Sequence, residues 1–310
     1  MLKLCAVLLP LLLVACATPP MQYKEVVQPQ AVYAAPVQSD RPVVALALGS
    51  GGDRGFAHIG VIKVLEAANI NVNIVLGTSA GSVVGALYAG GYNGAELERL
   101  ALEMDREKLK DYDFSRRGYV RGEQLQDFIN CALKNRSIEQ LDKPFVAVAT
   151  QLSSGKTVAF NRGNTGMAVR ASSSIPGVFY PVMIGGEEYV DGDLKKPVPV
   201  TLAREMGADF IIAVDISQQP RDHRELKDII DILKQSLRIM RQSILAHELE
   251  SAHVVIRPEI GQTPEIDAAS KLHMIKIGEE AATAALPVIR EWLQKIAVEK
   301  SLERAVPLPQ

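Results

Sequence analysis

Cysteines, an excess of basic residues, internal repeats and long apolar runs are all scarce or missing in this 310-residue chain. Three cysteines cannot frame a disulfide-stapled fold, so stability has to come from a buried core. Lys+Arg at 34 against Asp+Glu at 36 leaves a formal net charge of −2, which gives nucleic acid no basic field to follow. The leading apolar stretch, Leu4 to Ala15, is shorter than the roughly 20 residues a bilayer-spanning helix needs. No grouping of His, Cys, Asp and Glu suggests a metal, and no cofactor is expected. The remaining composition, 47% hydrophobic and 23% charged, is that of a globular chain long enough to bury a large core.

The densest information lies between Pro42 and Gly90, which reads as strand, glycine loop, helix, strand, serine turn, helix. Val43 to Leu48 is a continuous apolar run of strand length, as expected for a parallel strand buried on both faces. Gly49-Ser50-Gly51-Gly52-Asp53-Arg54-Gly55 follows, with so few side chains that its backbone N–H groups can converge on an anion. Phe56 to Ile70 has apolar residues at helical spacing, and Val72 to Leu76 makes a second strand. That strand runs into Gly77-Thr78-Ser79-Ala80-Gly81, a G-x-S-x-G turn between strand and helix that matches a nucleophile elbow. The small residues of the next helix let it pack closely and aim its N-terminal dipole at Ser79.

At these residues, and at Ala149 to Asn161, Ala171-Ser172-Ser173-Ser174-Ile175-Pro176-Gly177 and Asp191-Gly192, the chain resembles the patatin-like phospholipase family of lipid acyl hydrolases. The likeness covers roughly Pro42 to Trp292. It implies a Ser-Asp dyad without histidine: Ser79 as nucleophile, Asp191 as its partner, and the Gly51 and Gly52 amides as the oxyanion hole. Gly49, Arg54, Gly55, Gly77, Gly81 and Gly192 would support these groups. The substrate implied is a membrane lipid or lysolipid ester. Two positions depart from the family pattern: Ser50 stands where a loop glycine is usual, and Asp193 follows Asp191-Gly192 where a small residue is usual. A carboxyl with a pKa near about 3.9 is a poor base toward serine, so the dyad needs that value raised. Asp193 would raise it, whereas Lys195 and Lys196 would lower it if their ammonium groups came close.

The fold class expected is α/β, a three-layer sandwich with a central, mostly parallel sheet. Residues 1–15 read as a signal peptide, since Lys3 precedes a short apolar run. Leu13-Val14-Ala15-Cys16 resembles the lipobox of bacterial lipoproteins, which implies lipidation at Cys16 and attachment to the cell envelope; Ala17 suits an outer membrane. Residues 16–41, rich in Pro, Gln and Val, read as a disordered tether, residues 42–300 as the catalytic domain and 301–310 as a tail. With Cys5 removed and Cys16 acylated, Cys131 is left alone, and its apolar helical neighbours suggest a buried thiol. Gly94 to Lys110 reads as an amphipathic helix, Phe145 to Thr150 as a strand turned at Ser154-Gly155 into a hairpin, and Phe210 to Asp215 as another buried strand. Glu225 to Glu250 is a long amphipathic helix, read either as packed on the sheet or as an acyl-chain groove or lid.

Other mechanisms fit parts of the pattern. An α/β-hydrolase triad could draw its histidine from His223, His247, His253 or His273, all of which follow Asp191. A dinucleotide-binding loop is disfavoured because no acid ends the second strand, and a non-catalytic lipid-binding protein is disfavoured because Ser79 and Asp191 are both present. His58, on the first helix, reads as a packing residue, and Arg54 as a brace for the glycine loop.

Overall fold

The structure is a computed structural model that describes residues 27–105, 107–218, 229–261 and 266–305. The expected leader over 1–15, Cys16, the first part of the tether, His223, the start of the 225–250 helix and the end of the tail lie outside the described residues.

The described chain runs β1 (Val44–Leu48), α1 (Phe56–Ala67), β2 (Ile74–Thr78), α2 (Ala80–Ala89), α3 (Gly94–Glu103), β3 (Tyr112–Ser115), β4 (Gly118–Val120), α4 (Glu123–Ala132) and β5 (Phe145–Gln151). It continues with β6 (Thr157–Phe160), α5 (Thr165–Ser172), β7 (Val182–Ile184), β8 (Glu187–Asp191), α6 (Val200–Glu205), β9 (Phe210–Val214), α7 (Ile229–Leu249), β10 (Val254–Ile256) and α8 (Ala268–Ala305). The main sheet has the order β10-β9-β1-β2-β5-β8-β7, with β6 also on β5. Its β10, β9, β1, β2 and β5 are mutually parallel, while β6, β7 and β8 join antiparallel.

Alternation along β1 shows why the fold has three layers. Leu46 and Leu48 point into a core shared with Ile59, Ile62, Leu87 and Ile275 of α1, α2 and α8. Ala45 and Ala47 point the other way, toward Val200, Ala203, Leu245 and Leu249 of α6 and α7. Both faces are therefore apolar, as in other parallel sheets covered on two sides. From β1 the chain builds outward through β2 and β5, then returns to add β9 on the opposite edge of β1. The carboxyl ends of β1 and β9 thus flank a topological switch point, the usual crevice for a ligand in such sheets.

Several expectations are corrected. Residues 27–37, within the expected tether, lie against the domain: Gln30 pairs with Arg162, the Val37 amide donates to Met206 O (2.9 Å), and the Asn164 amide donates to Val27 O (2.9 Å). Backbone pairing, rather than a buried apolar face, holds this stretch, since Val27, Val32 and Tyr33 are exposed. The helix expected to reach Lys110 ends at Glu103, and β3, β4, β7 and α6 had no clear signal in the sequence. Cys131 is exposed. Gln126, Ile129, Asn130 and Leu133 form the buried i, i+3, i+4, i+7 stripe of α4, and Cys131 lies off it. Helix α8 continues to Ala305, inside the stretch read as a tail.

Candidate active site

The register of β5 brings the two halves of the site together. On β5, β2 pairs along Phe145 to Val148 and β6 along Ala147 to Thr150, so these two strands occupy opposite edges. Strand β8 pairs along Ala149 to Gln151, overlapping β6, so it must share the edge used by β2. Thr78 lies opposite Val148 and Asp191 opposite Ala149. The carboxyl ends of β2 and β8 therefore meet head to head, with Ser79 and Asp191 at the junction.

Ser79 has φ 53° and ψ −122°, a left-handed backbone that a residue with a side chain adopts only under constraint. The constraint is a close crossing. A Cβ on Gly77 would lie 2.4 Å from Gly81 O, and one on Gly81 would lie 2.1 Å from Leu48 O, so the turn sits too near β1 for side chains. The Ser79 amide donates to Ser172 Oγ (2.9 Å), and Ser82 Oγ donates to Ser79 O (2.7 Å). With its backbone held, Ser79 Oγ donates to Asp191 Oδ2 at 2.6 Å.

Asp191 is only 2% exposed. Its Oδ1 accepts from the Asp193 amide (2.8 Å), and its own amide donates to Ser174 O (2.9 Å). Burial, reinforced by the Asp193 charge, pushes its carboxyl up to about 7, against the pull of the Ser79 and Asp193 hydrogen bonds and of Arg241. A carboxyl near neutrality is matched to taking and returning a proton at physiological pH. The expected role of Asp193 is thus present, but the opposing cation is Arg241. Lys195 is exposed, and the Lys196 ammonium pairs with buried Glu248.

The glycine loop leaves β1 at the switch point. Its Gly49 amide donates to Val214 O (3.0 Å) and its Ser50 amide to Pro197 O (2.8 Å), while the Gly51 and Gly52 amides have no protein acceptor among the described residues. Gly52 has φ +57°, which favours glycine. His58 was expected only to pack; it is fully buried and its Nε2–H donates to Gly49 O at 2.8 Å, so it pins the loop from below. Burial lowers its pKa to about 4, which keeps the ring neutral. Arg54, read as a brace for the loop, donates from Nε to Ile216 O at 2.6 Å.

The two departures from the family pattern touch each other. Ser50 Oγ donates to Asp193 Oδ1. Arg241 of α7 donates to Ser50 O (2.8 Å) and Ser50 Oγ (2.7 Å) and lies 3.0 Å from Asp193. One guanidinium therefore ties α7 to both the glycine loop and the Asp-Gly turn. Ser172, Ser174, His58 and Arg241 were all missed as site residues. Ser172 and Ser174 lie in a serine run of the kind that caps helices and makes turns, and nothing in the sequence singled out Arg241.

Two cavities open at Ser79. One, of about 900 Å³, is lined by Gly51, Gly52, Ser79 and Asp191 and by Arg54, Arg238 and Arg241. The other, of about 420 Å³, is almost wholly apolar, with Phe56, Val83, Leu87, Leu100, Met104 and Phe128 in its wall. The apolar groove is thus built by α1 to α4, whereas α7, which was read as a possible groove or lid, borders the polar cavity. Among the described residues no group of three or more His, Cys, Asp or Glu side chains could hold a metal, and no helix is long and apolar enough to cross a membrane.

The described late histidines lie elsewhere. His253 Nδ1 accepts from the Ile211 amide (3.0 Å) and its ring packs on Trp292; His247 is exposed near Glu250, and His273 is exposed on α8.

A three-layer α/β sheet with a glycine loop at its switch point and, beside it, a serine elbow facing a buried carboxyl defines the class of this protein. The patatin-like phospholipase model matches residues 46–204, and the chain belongs to that family. An uncharacterized NTE family protein of Mycobacterium tuberculosis is 39% identical over 181 residues, covering 58% of this chain and 50% of that protein. Patatin-like phospholipase domain-containing protein 6 of Homo sapiens is 33% identical over 184 residues, covering 57% of this chain and 13% of that protein. The chain therefore spans half the length of the mycobacterial relative and far less of the human one. Among solved structures, VipD from Legionella pneumophila shares the fold with a TM-score of 0.54 at 14% identity, over 90% of this chain and 72% of that one.

Proposed function

We propose that the protein is a serine hydrolase of lipid acyl esters, of the phospholipase A or lysophospholipase type, that works through a Ser79–Asp191 dyad. The observation that carries this reading is the 2.6 Å hydrogen bond from Ser79 Oγ to a buried carboxyl poised near neutrality. Ser79 Oγ attacks the ester carbonyl carbon while its proton passes to Asp191 Oδ2. The carbonyl oxygen becomes an oxyanion and takes hydrogen bonds from the Gly51 and Gly52 amides, which have no acceptor among the described residues. The carbon–oxygen ester bond then breaks, and the leaving alcohol takes the proton from Asp191. In the second half a water attacks the acyl carbon, gives its proton to Asp191, and the proton returns to Ser79 Oγ as the fatty acid leaves.

The apolar cavity beside Ser79 suits the acyl chain, and its size is within the range typical of small-molecule sites. A test is to quench the protein in acid during turnover of a long-chain acyl ester and weigh its peptides. One acyl group on the Ser79 peptide is expected; acylation elsewhere, or none during measurable turnover, would refute the assignment.

The sequence Leu13-Val14-Ala15-Cys16 supports a lipid anchor at Cys16 and residence in a bacterial cell envelope. With residues 27–37 laid on the domain, residues 17–26 are the chain left between anchor and domain, a reach of about 35 Å at most. Cys16→Ser should abolish lipid labelling and release the protein from membranes; persistent labelling would refute the anchor.

A further inference from the structure

The glycine loop is held one peptide unit at a time. Val214 O fixes the Gly49 amide, and the next unit is held at both ends, by His58 on Gly49 O and by Pro197 O on the Ser50 amide. Further along, Gly51 O accepts from the Arg54 amide at 3.4 Å. The unit between these, Ser50 C=O with Gly51 N–H, carries one of the two oxyanion donors. Its protein partner among the described residues is Arg241, whose Nη2 donates to Ser50 O at 2.8 Å.

A trans peptide is planar, and its C=O and N–H point in opposite directions. Whatever holds Ser50 O therefore also sets where the Gly51 N–H points. Residue 51 has to be glycine, because a Cβ there would lie 2.6 Å from Ile216 Cδ1, and glycine leaves its peptide unit more freedom to rotate than any other residue does. Arg241 is itself tied in place. Its Nη2 also donates to Ser50 Oγ at 2.7 Å, its Nε lies 3.0 Å from Asp193, and Ser50 Oγ donates to Asp193. The guanidinium side chain is only 14% exposed, and the contacts at this one corner of the cavity offset the cost of taking it out of water.

Resting on the acyl-ester reading above, we propose that Arg241 is a positioning residue of the oxyanion hole: by holding Ser50 O it aims the Gly51 N–H at the oxygen that becomes charged when Ser79 attacks. It acts through the peptide unit rather than on the ester. With Ser50 O released, the unit turns and the hole loses one of its two donors. The two departures from the family pattern then share a reason, since Ser50 Oγ and Asp193 fix a guanidinium that a glycine and a small residue could not hold. A donor aimed at the oxyanion strengthens its hold only as charge develops, so its loss falls on kcat rather than on KM.

The experiment measures kcat and KM of the full-length protein on a long-chain acyl ester at pH values above the acidic limb. That range is needed because removing Arg241 also withdraws a cation that lowers the Asp191 pKa, which moves the limb upward. Arg241→Met should lower the plateau kcat about a hundredfold with KM little changed, and Arg241→Lys, which keeps a donor for Ser50 O, should restore part of it. The Ki of a long-chain alkyl trifluoromethyl ketone, whose carbonyl becomes a tetrahedral oxyanion on Ser79, should rise in step with the loss of kcat, while the Ki of the matching fatty acid stays in place. Ser50→Gly removes the hydroxyl but keeps the carbonyl, so its kcat should lie well above that of Arg241→Met; an equal loss in the two would overturn the role of the carbonyl. Should Arg241→Met fail to fold by circular dichroism, Arg241→Gln, polar but too short to reach Ser50 O, is read in the same way. A folded Arg241→Met or Arg241→Gln protein with the wild-type plateau kcat, or one whose loss lies in KM and leaves the ketone bound as tightly as before, overturns the assignment and leaves the hydrolase reading standing. A wild-type protein that cleaves no acyl ester sinks that reading and this inference with it.

Discussion

Replacing Asp193 by asparagine tests how the base is tuned. Asp191 titrates at about 7 against an ordinary 3.8, a rise of about three units (7 − 3.8), and burial is the larger cause with Asp193 second. At 1.36 kcal/mol per unit the whole rise is worth about 4 kcal/mol, of which Asp193 supplies the smaller, second part. In Asp193→Asn, Arg241 loses its carboxylate partner and acts more fully on Asp191, which moves the value in the same direction. The acidic limb of the kcat/KM profile should therefore fall below about 7. Well below that limb, each unit of the fall makes the ionised fraction of Asp191 roughly tenfold larger, relative to each protein's plateau. The assay is hydrolysis of a soluble short-chain ester from pH 4.5 to 9. An unmoved limb, or one moved upward, would remove Asp193 from the tuning of the base.

Stability should follow the same carboxyl. Because its folded-state pKa is raised, the protonated form favours folding below pH 3.8, and that contribution is lost as pH climbs through about 7. Urea unfolding should therefore show Asp191→Asn gaining on the wild type as pH rises from 4.5 to 8, by ~4 kcal/mol at most; an equal difference at both pH values would contradict the raised pKa. Ser172→Ala would strand the buried Ser79 amide, costing about 1–3 kcal/mol and lowering kcat more than it raises KM; unchanged kcat would show that Ser172 does not hold the elbow. Gly81→Ala would drive a methyl to within 2.1 Å of Leu48 O, so Tm should fall steeply or folding fail, and a normal Tm would contradict the close crossing of α2 and β1.

What could be read from the sequence was local. The strand, glycine loop, helix, strand and elbow from Pro42 to Gly90 follow one another along the chain, and apolar runs with glycine punctuation mark each boundary. Asp191 was legible only through its resemblance, because Asp-Gly after a strand is an ordinary turn until a serine stands opposite. The supporting groups were not legible for a different reason. Ser172 meets the elbow across 93 residues, and Arg241 meets Ser50 across 191, so no spacing rule links either pair. His58 is only nine residues from Gly49, but its bond depends on how steeply the loop folds back over α1. Cys131 was misjudged because apolar neighbours in sequence were taken for neighbours in space, whereas the helical stripe passes it by.

The central claim is that Ser79 and Asp191 act as one unit, and a double-mutant cycle tests it most directly. Activity on an acyl ester is measured for Ser79→Ala, Asp191→Asn and the double variant, with His253→Ala and His273→Ala beside them and folding checked by circular dichroism. The three dyad variants should lose activity to a similar extent, because members of one catalytic unit are far from additive, and the histidine variants should keep most of theirs. Near-normal turnover in Asp191→Asn, or a folded histidine variant as inactive as Ser79→Ala, would contradict the dyad.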